Sequence, residues 1–279
     1  MPYLELFDET LDINATENYE LAVQVSADEV SFCILDTLRN KFVMLRSYEP
    51  GGDDSYKPAQ IEAIVKMDDF LTRPFRKKNV ITPSAKSTLV PAELYEDSRK
   101  KDYFSINQTI MDNELVLVNR ISFPESFLIF SLENDFHDSV DASFPGSQLI
   151  HHLKPLIDRA NAGKGAGTGN MFVHIERYFI NIVVFDQNNL KFCNTFPCRM
   201  VSDIQYYVLY VLKRLNIDPR EIVYFSGRMS SREDITRAFS KYLPNIRFTG
   251  LAGNFILSYI LGETEIHRFI NIFNAASCE

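Results

Sequence analysis

The sequence predicts an α/β fold made of two successive copies of one unit, which consists of three antiparallel strands, a helix and a further strand. Three alternating apolar runs follow one another over residues 20–50, and three more follow over residues 171–196. In both regions a segment with apolar residues at helical spacing comes next, and a short apolar run ends the series. The two copies agree in element order and period, not residue by residue.

The first copy is predicted from a meander of three strands. Apolar residues alternate across residues 21–45, with turn-forming residues at 26–28 and 39–40. Pro58 then opens a helical pattern, since proline is favoured in the first turn of a helix. A short buried strand is expected at residues 80–81, after this helix.

The second copy repeats this order. Strands are expected at residues 171–175, 179–185 and 190–196. A helix follows at residues 200–215, where apolar residues recur at helical spacing, and a buried strand follows at residues 222–225.

Other segments carry less regular patterns. Residues 147–161 are expected to form a helix, and a last apolar helix is predicted at residues 255–261. His151 and His152 would lie on the first of these helices with no acidic or thiol partner one turn away. We therefore expect both histidines to lie on the surface.

A glycine-rich segment, residues 163–169, precedes the second copy. Its spacing fits neither a Walker loop nor a dinucleotide-binding pattern, and it leads into a strand, whereas both of those motifs lead into a helix. The segment predicts a linker. The expected division is an N-terminal unit with inserted elements at residues 1–162, the linker, and a C-terminal unit at residues 170–279.

Composition and charge restrict the class of function. The chain has 279 residues, 46% hydrophobic and 24% charged, which is typical of a globular protein, and its net charge is −8. A negative balance disfavours binding to a nucleic-acid backbone. The basic runs at residues 73–78 and 99–101 are therefore interpreted as solvated faces. With no apolar stretch long enough to cross a membrane, we expect a soluble, cytoplasmic protein without membrane insertion.

Several residues that could carry chemistry lack the partners that this chemistry needs. Cys193 and Cys198 are not followed by a second pair of ligands at zinc spacing, so no metal site is predicted there. Ser226 follows a buried strand, but the Gly-x-Ser-x-Gly pattern of a nucleophile elbow is absent. The sequence therefore predicts no catalytic residue.

The doubled order of elements resembles the actin-like ATPase superfamily, in which two ribonuclease-H-like mixed-sheet units face an interdomain cleft that holds ATP. Nearly the full chain also resembles a family of uncharacterised proteins from Bacteroidetes bacteria with this fold. The features that carry this second resemblance are the meander at 20–49, the stretch around Leu89-Val-Pro91 and Leu94-Tyr95, and the second unit from Phe172 to Gly227.

The superfamily resemblance implies two phosphate-binding turns, each with an Asp-x-Gly motif whose Asp holds Mg²⁺ or orients water. The glycine allows backbone N–H groups to approach the phosphates. Here the first place is Gln24-Val-Ser26-Ala-Asp28, and the second is His174-Ile-Glu176-Arg177-Tyr178. Both lack the expected Asp, and Ser26 and Glu176 replace the glycine. A carboxylate about 4 Å from a phosphate charge repels it by about 4 kcal/mol at an effective dielectric constant of 20.

The resemblance also implies an adenosine contact after the last strand of the second copy. There the sequence Ser226-Gly227-Arg228 keeps one glycine of the expected pair. An alternative interpretation of this glycine is that it forms the strand-to-helix turn that any α/β fold requires. Together with Ser26, Asp28, Glu176 and Arg177, these three residues form the candidate degenerate site.

The sequence leaves three classes of function open. The favoured hypothesis is a non-catalytic scaffold or binding protein, a pseudo-ATPase with an unidentified protein partner and no required cofactor. The alternative is a divergent ATPase or phosphotransferase that uses ATP and Mg²⁺ in the cleft, with Asp28 and Glu176 as metal ligands. A nuclease would need carboxylates on adjacent strands, and residues 171–175 contain none.

Overall fold

The computed structural model describes residues 1–50, 55–162, 171–186, 189–229, 231–251, 255–262 and 265–275. These residues belong to two compact units. The first unit comprises Met1–Pro155, Gly253–Thr264 and Asn271–Glu279, and the second comprises Leu156–Ala252 and Glu265–Ile270. The expected linker at 163–169 lies outside the described residues. Parts of the C-terminal region belong to the first unit.

The first half of the chain forms nine strands and four helices within the described residues. In chain order they are β1 (Leu4–Phe7), β2 (Tyr19–Val25), β3 (Val30–Asp36), β4 (Lys41–Tyr48), α1 (Pro58–Met67), β5 (Lys77–Thr82), β6 (Ser87–Pro91), α2 (Lys100–Asn107), β7 (Glu114–Ile121), β8 (Ser126–Glu133), α3 (Asn134–Ser143), β9 (Gln148–His151) and α4 (Leu153–Ala162).

The remaining described elements follow residue 170. They are β10 (Met171–Ile175), β11 (Phe179–Asp186), β12 (Asn189–Pro197), α5 (Val201–Leu215), β13 (Val223–Gly227), α6 (Arg232–Phe239), β14 (Ile246–Phe248), β15 (Ile256–Leu257) and α7 (Ile270–Ala275).

The predicted repeat is confirmed by the sheet topology. The main sheet of the first unit has the order β1-β4-β3-β2-β5-β9, and the sheet of the second has the order β12-β11-β10-β13-β14. In each copy the first three strands are antiparallel, and the strand after the helix returns parallel to the first strand. A register shift also occurs in the same hairpin of each copy, between Ile34 and Leu35 and between Val184 and Phe185.

Each copy continues beyond the predicted five elements with one more helix and one more parallel strand. In the first copy these are α3 and β9, and in the second they are α6 and β14. The expected helix at 147–161 is therefore wrong in its first part, because residues 148–151 pair with β5. The expected helix at 255–261 is also wrong, since residues 256–257 pair with β4 and a 3₁₀ turn follows.

Separate apolar cores hold the two sheets to their helices. In the first unit Val23, Val25 and Phe32 pack against Ile61 of α1 and Val140 of α3. In the second, the equivalent face of the sheet packs against α5 and α6. Burying one such aliphatic or aromatic side chain contributes roughly 1.5–3 kcal/mol, which explains why alternation in the sequence fixes the inward face of each strand.

The inserted elements form a small sheet of their own in the first unit. Its order is β6-β8-β7, and α2 covers it through Phe104. None of the described helices is long and apolar enough to span a membrane.

Candidate functional site

The two turns that were predicted as phosphate-binding places have the same backbone geometry. In the first unit the N–H of Ser26 donates to the carbonyl oxygen of Glu29 at 2.8 Å. In the second unit the N–H of Glu176 donates to the carbonyl oxygen of Phe179 at 2.9 Å. Each turn is thus a tight four-residue hairpin at the end of a buried strand, and its first N–H is used internally.

Side chains complete the first turn. The Ser26 hydroxyl accepts a hydrogen bond from the N–H of Asp28 at 3.3 Å and lies 3.2 Å from the carbonyl oxygen of Glu29. Glu29 is buried and accepts a hydrogen bond from Ser31 of β3. Sequence reasoning missed Glu29, although its position directly after Asp28 makes the turn doubly acidic.

The second turn is built around His174, which sequence reasoning also missed. His174 is 1% exposed, its Nε2 lies 3.1 Å from Oε1 of Glu176, and its Nδ1 lies 2.9 Å from Oγ of Ser226. Because an ionised carboxylate can only accept, this geometry assigns the proton to Nε2, and Nδ1 then accepts from the serine hydroxyl. Burial lowers the pKa of His174 to about 4, so the ring is neutral at pH 7.

The relay of Ser226, His174 and Glu176 has the connectivity of a hydrolytic triad, but its serine is inaccessible. Ser226 is 1% exposed, whereas a nucleophile must reach the substrate atom that it attacks. The relay instead fixes the carboxylate of Glu176 at the end of β10. A signal for it existed in the sequence, because His174 and Ser226 occupy matching places before the ends of two parallel strands.

Gly227 allows the close approach of β13 to β10. Its φ is +89°, and a Cβ at this position would lie 2.2 Å from the carbonyl oxygen of Ile175. The next N–H, that of Arg228, donates to the same oxygen at 2.6 Å. Only glycine fits this place without displacing backbone atoms. The packing of β13 against β10 therefore explains the glycine at position 227 without any contact to adenosine.

A pocket of about 280 Å³ lies beside the second turn, within the second unit. Its polar walls are Glu176, Arg177, Arg199 and Arg228. The rest of the pocket wall is apolar. It consists of side chains at the ends of β10 and β12, in α5 and α6 and in the β13–α6 connection, among them Ile175, Val201, Ile204, Met229 and Ile235. Three arginines and one carboxylate give these walls a net positive charge.

The helix that begins at this pocket is already capped by an acid. Oδ2 of Asp203 accepts hydrogen bonds from the N–H groups of Arg199 and Met200, at 2.9 and 3.1 Å. A carboxylate in the first turn of α5 neutralises the positive end of the helix dipole. The N-terminus of α5 is therefore occupied by the chain's own acid.

The predicted site residues divide between the units. Glu176, Arg177 and Arg228 line one pocket, and Ser226 and Gly227 lie directly behind it. Ser26 and Asp28 belong to the first unit. Arg199 also lines the pocket. It was not among the predicted site residues because it precedes a helix, whereas the predicted residues lie in turns that follow strands.

Two further expectations concern possible metal ligands and surface histidines. Across the described ranges, no group of three or more His, Cys, Asp or Glu side chains is arranged to hold a metal ion. The expectation that His151 and His152 lie on the surface is wrong, since both are fully buried. His151 ends β9, where its Nε2 lies 3.1 Å from the carbonyl oxygen of Ser84.

Comparison with solved structures identifies the fold. A Bacteroides thetaiotaomicron protein with an actin-like ATPase fold and unknown function is 20% identical over 97% of this chain and 100% of its own, with a TM-score of 0.77. The PilM–PilN type IV pilus biogenesis complex matches at 12% identity over 93% of this chain and 98% of its own, with a TM-score of 0.58. Ethanolamine utilization protein EutJ from Carboxydothermus hydrogenoformans matches at 12% identity over 92% and 88%, with a TM-score of 0.51.

These likenesses confirm the predicted actin-like ATPase architecture, and no curated protein matches the chain in sequence. The family described as "Protein of unknown function (DUF3822)" matches residues 8–246, which is most of the chain. The chain therefore belongs to the DUF3822 family.

Proposed function

We propose that this protein is a non-catalytic binding protein, which uses the actin-like fold to hold a protein partner and has lost the phosphate cradle of a nucleotide site. The observation that carries this proposal is the second turn, where a neutral histidine holds Glu176 at the place of the expected glycine. The proposal includes a cytoplasmic location, and the net charge of −8 favours a protein over a nucleic acid as partner.

The residues at the turns do not fit a magnesium-bound triphosphate. Gln24 and His174 stand at the two places where the fold carries a metal-holding Asp, and His174 is neutral and already hydrogen-bonded on both nitrogens. Repulsion of about 4 kcal/mol between the Glu176 carboxylate and a phosphate would weaken a micromolar site to about millimolar. Buried hydrogen bonds keep this carboxylate in place.

The pocket beside Glu176 has the composition of a protein-binding surface. Arginine and methionine are enriched where proteins meet, and its walls contain Arg177, Arg199, Arg228 and the methionines at 200 and 229. Met200 is well exposed. The PilM–PilN complex, with the same fold, is a precedent for partner binding by this architecture, as an analogy only.

Calorimetric titration of the full chain with ATP and ADP, with and without Mg²⁺, tests the proposal. We expect no binding in the micromolar range under any of these conditions. Glu176→Gln should tighten any weak nucleotide binding, because it removes the repelling charge. Asp186→Asn, which removes an exposed acid of the same unit, should leave such binding unchanged.

The alternative of a divergent ATPase makes the opposite forecast. If Glu176 holds magnesium, the wild-type protein binds ATP in the micromolar range only with Mg²⁺, turns it over, and loses both properties in Glu176→Gln. That pattern would refute the binding-protein proposal.

A further inference from the structure

Strand β12 forms one edge of the sheet in the second unit, and it is the longest edge strand among the described residues. It pairs with β11 on one side, and no described strand pairs with the other side. None of its nine residues is buried, whereas every residue of β10, inside the same sheet, is buried. The outer backbone groups of β12 are therefore open to hydrogen bonds with a further strand.

The features that usually protect an edge strand occur only at the two ends of β12. Near its start the register with β11 shifts between Val184 and Phe185, which leaves Lys191 as an extra, bulged residue. Its last residue is Pro197. Bulges, lysine and proline all discourage the pairing of an edge with another strand. Residues 192–196 between them contain no proline and no charged residue, so the centre of this edge is unprotected.

Thr195 shows which backbone groups of β12 point outward. It lies opposite Asn181 of β11, yet its N–H donates to Oδ1 of Asn194 at 2.9 Å and not to β11. In an antiparallel pair, alternate residues of an edge strand direct their N–H and C=O groups away from the neighbouring strand. Thr195 therefore belongs to the outward set, together with Cys193. The Asn194 side chain takes the position at this N–H that the carbonyl group of an added strand would take.

A row of aromatic side chains lies beside this edge. The centre of the Phe192 ring is 6.3 Å from that of Phe196, which stacks on Tyr207 of α5 with 4.6 Å between ring centres. Tyr206 and Tyr210 continue the row on α5, and they are 63% and 44% exposed. Aromatic residues are enriched where proteins meet, and side chains beside a sheet edge select the alternate side chains of an added strand.

The surface around this edge is positively charged. Residues 189–215, which contain β12 and α5, include four lysines and arginines but one acid, in a chain with a net charge of −8. That acid, Asp203, already caps α5. Asp186 of β11 pairs with Lys191 near the start of β12, and the guanidinium carbon of Arg214 lies 5.9 Å from the centre of the Tyr210 ring. A second copy of the chain would bring like charges together here, whereas an acidic segment is attracted.

We propose that β12 binds an extended, acidic segment of a partner protein, which adds to this edge as a further strand. Such a partner is the protein that the proposed function requires, so this site rests on that function. Main-chain hydrogen bonds to the outward groups of β12 would supply affinity, and the aromatic row would take the alternate side chains. Strand β12 leads into Arg199 and Met200, which line the pocket beside Glu176. The added strand would therefore extend to that pocket.

Fluorescence anisotropy of the full chain with a labelled peptide tests this proposal. The probe Glu-Glu-Val-Thr-Val-Thr-Val-Glu-Glu has a β-branched centre, which favours an extended strand, and acidic ends. We expect it to bind in the micromolar range, and the same peptide with lysine in place of every glutamate to bind at least about tenfold more weakly. N-methylation of one alternate set of residues should abolish binding, because those N–H groups face β12, and N-methylation of the other set should not.

Variants of the protein locate the edge that binds. Thr195→Pro removes an outward N–H without removing a bond of the β11–β12 ladder, and it should abolish binding. Thr195→Val is the matched control, because it loses the same side-chain hydrogen bond but keeps the N–H. Lys213→Gln/Arg214→Gln should weaken binding by about tenfold. Lys101→Gln/Lys241→Gln removes the same charge from exposed residues elsewhere and should leave binding unchanged.

Three outcomes would overturn the proposal. One is equal binding of the acidic and basic peptides, or no binding of either at millimolar concentration, while thermal melting shows a folded protein. Another is unchanged binding by a folded Thr195→Pro variant or of both N-methylated peptides. The last is a dimer in analytical ultracentrifugation that Thr195→Pro dissociates, since a second copy of the chain would then occupy the edge. Each of these results concerns the partner alone, whereas micromolar binding of ATP would refute the proposed function whatever the peptide does.

Discussion

Gly227 ends β13 with a φ of +89°, and the carbonyl oxygen of Ile175 occupies the space that a Cβ would need. This contact sets the distance between β13 and β10, and hence the distance over which Ser226 reaches His174. One missing side chain thus determines whether the relay behind Glu176 can form. His174 is a second single residue with a large effect, because its neutral ring orients the Glu176 carboxylate without neutralising the charge of that group.

Gly227→Ala should destabilise the second unit by at least about 2 kcal/mol, because it combines a left-handed backbone with a clash against backbone atoms. Urea unfolding measures this change. Gly250→Ala is the control in the same unit, because a Cβ at Gly250 would meet no atom within 4 Å, and its effect should stay within about 0.5 kcal/mol. Equal stability of the two variants would show that the strands can separate to accept the methyl group.

At the scale of elements, Asp68 ties the end of α1 to the sheet of the first unit. Its Oδ2 accepts hydrogen bonds from Arg46 at 2.8 Å and from Tyr48 at 2.6 Å, both in β4. Its Oδ1 accepts from the N–H groups of Phe70 and Leu71, at 2.8 and 3.0 Å. A single buried carboxylate therefore ends the helix, shapes the loop that follows and holds both against a neighbouring strand.

Asp68→Ala should cost about 3–5 kcal/mol of unfolding free energy, because it leaves Arg46 buried without its inner partner. Glu62→Ala breaks an exposed ion pair with Lys66 on α1 and should cost at most about 1 kcal/mol. Denaturant unfolding of the two variants measures the difference. A small loss of unfolding free energy in Asp68→Ala would mean that the hydrogen bond between Arg46 and Glu5, at the exposed end of the network, is sufficient to hold Arg46.

At the scale of the whole molecule, buried neutral histidines occur in both units. Burial lowers the pKa of His151 in the first unit, and it lowers the pKa values of His174 and His267 in the second to about 4. The unfolded chain binds these protons near pH 6.5, well before the folded chain does. Stability contributed by these groups is therefore complete above about pH 6.5 and is lost as the pH falls toward 4.

The free energy of unfolding should accordingly fall between pH 7 and about pH 4, with up to about 3 kcal/mol of the loss due to His174. In His174→Gln the curve should be flatter over this interval than in the wild-type protein. Urea titrations at several pH values give both slopes. An unchanged slope in His174→Gln would mean that this ring is protonated in the folded protein.

Much of the architecture was predictable because it depends on local periodicity. Alternation and helical spacing predict the three strands, the helix and the strand of each copy, whereas the two phosphate-binding places are implied by the resemblance to the actin-like ATPase superfamily. The same resemblance implies Glu176, Arg177 and Arg228 as site residues, and the structure brings them to one pocket because β10 and β13 are parallel and end at the same edge. The predicted strands and helices depend only on the residue pattern within one segment and on the repetition of that pattern along the chain.

Only the tertiary structure decided what each segment packs against. Residues 148–151 have an apolar pattern that suits a helix, but pairing with β5 makes them a strand and buries His151. The same holds for residues 256–257, which pair with β4. Burial and pairing arise from groups distant in the chain, so the sequence by itself determined the repeated units, and packing decided which polar residues they enclose.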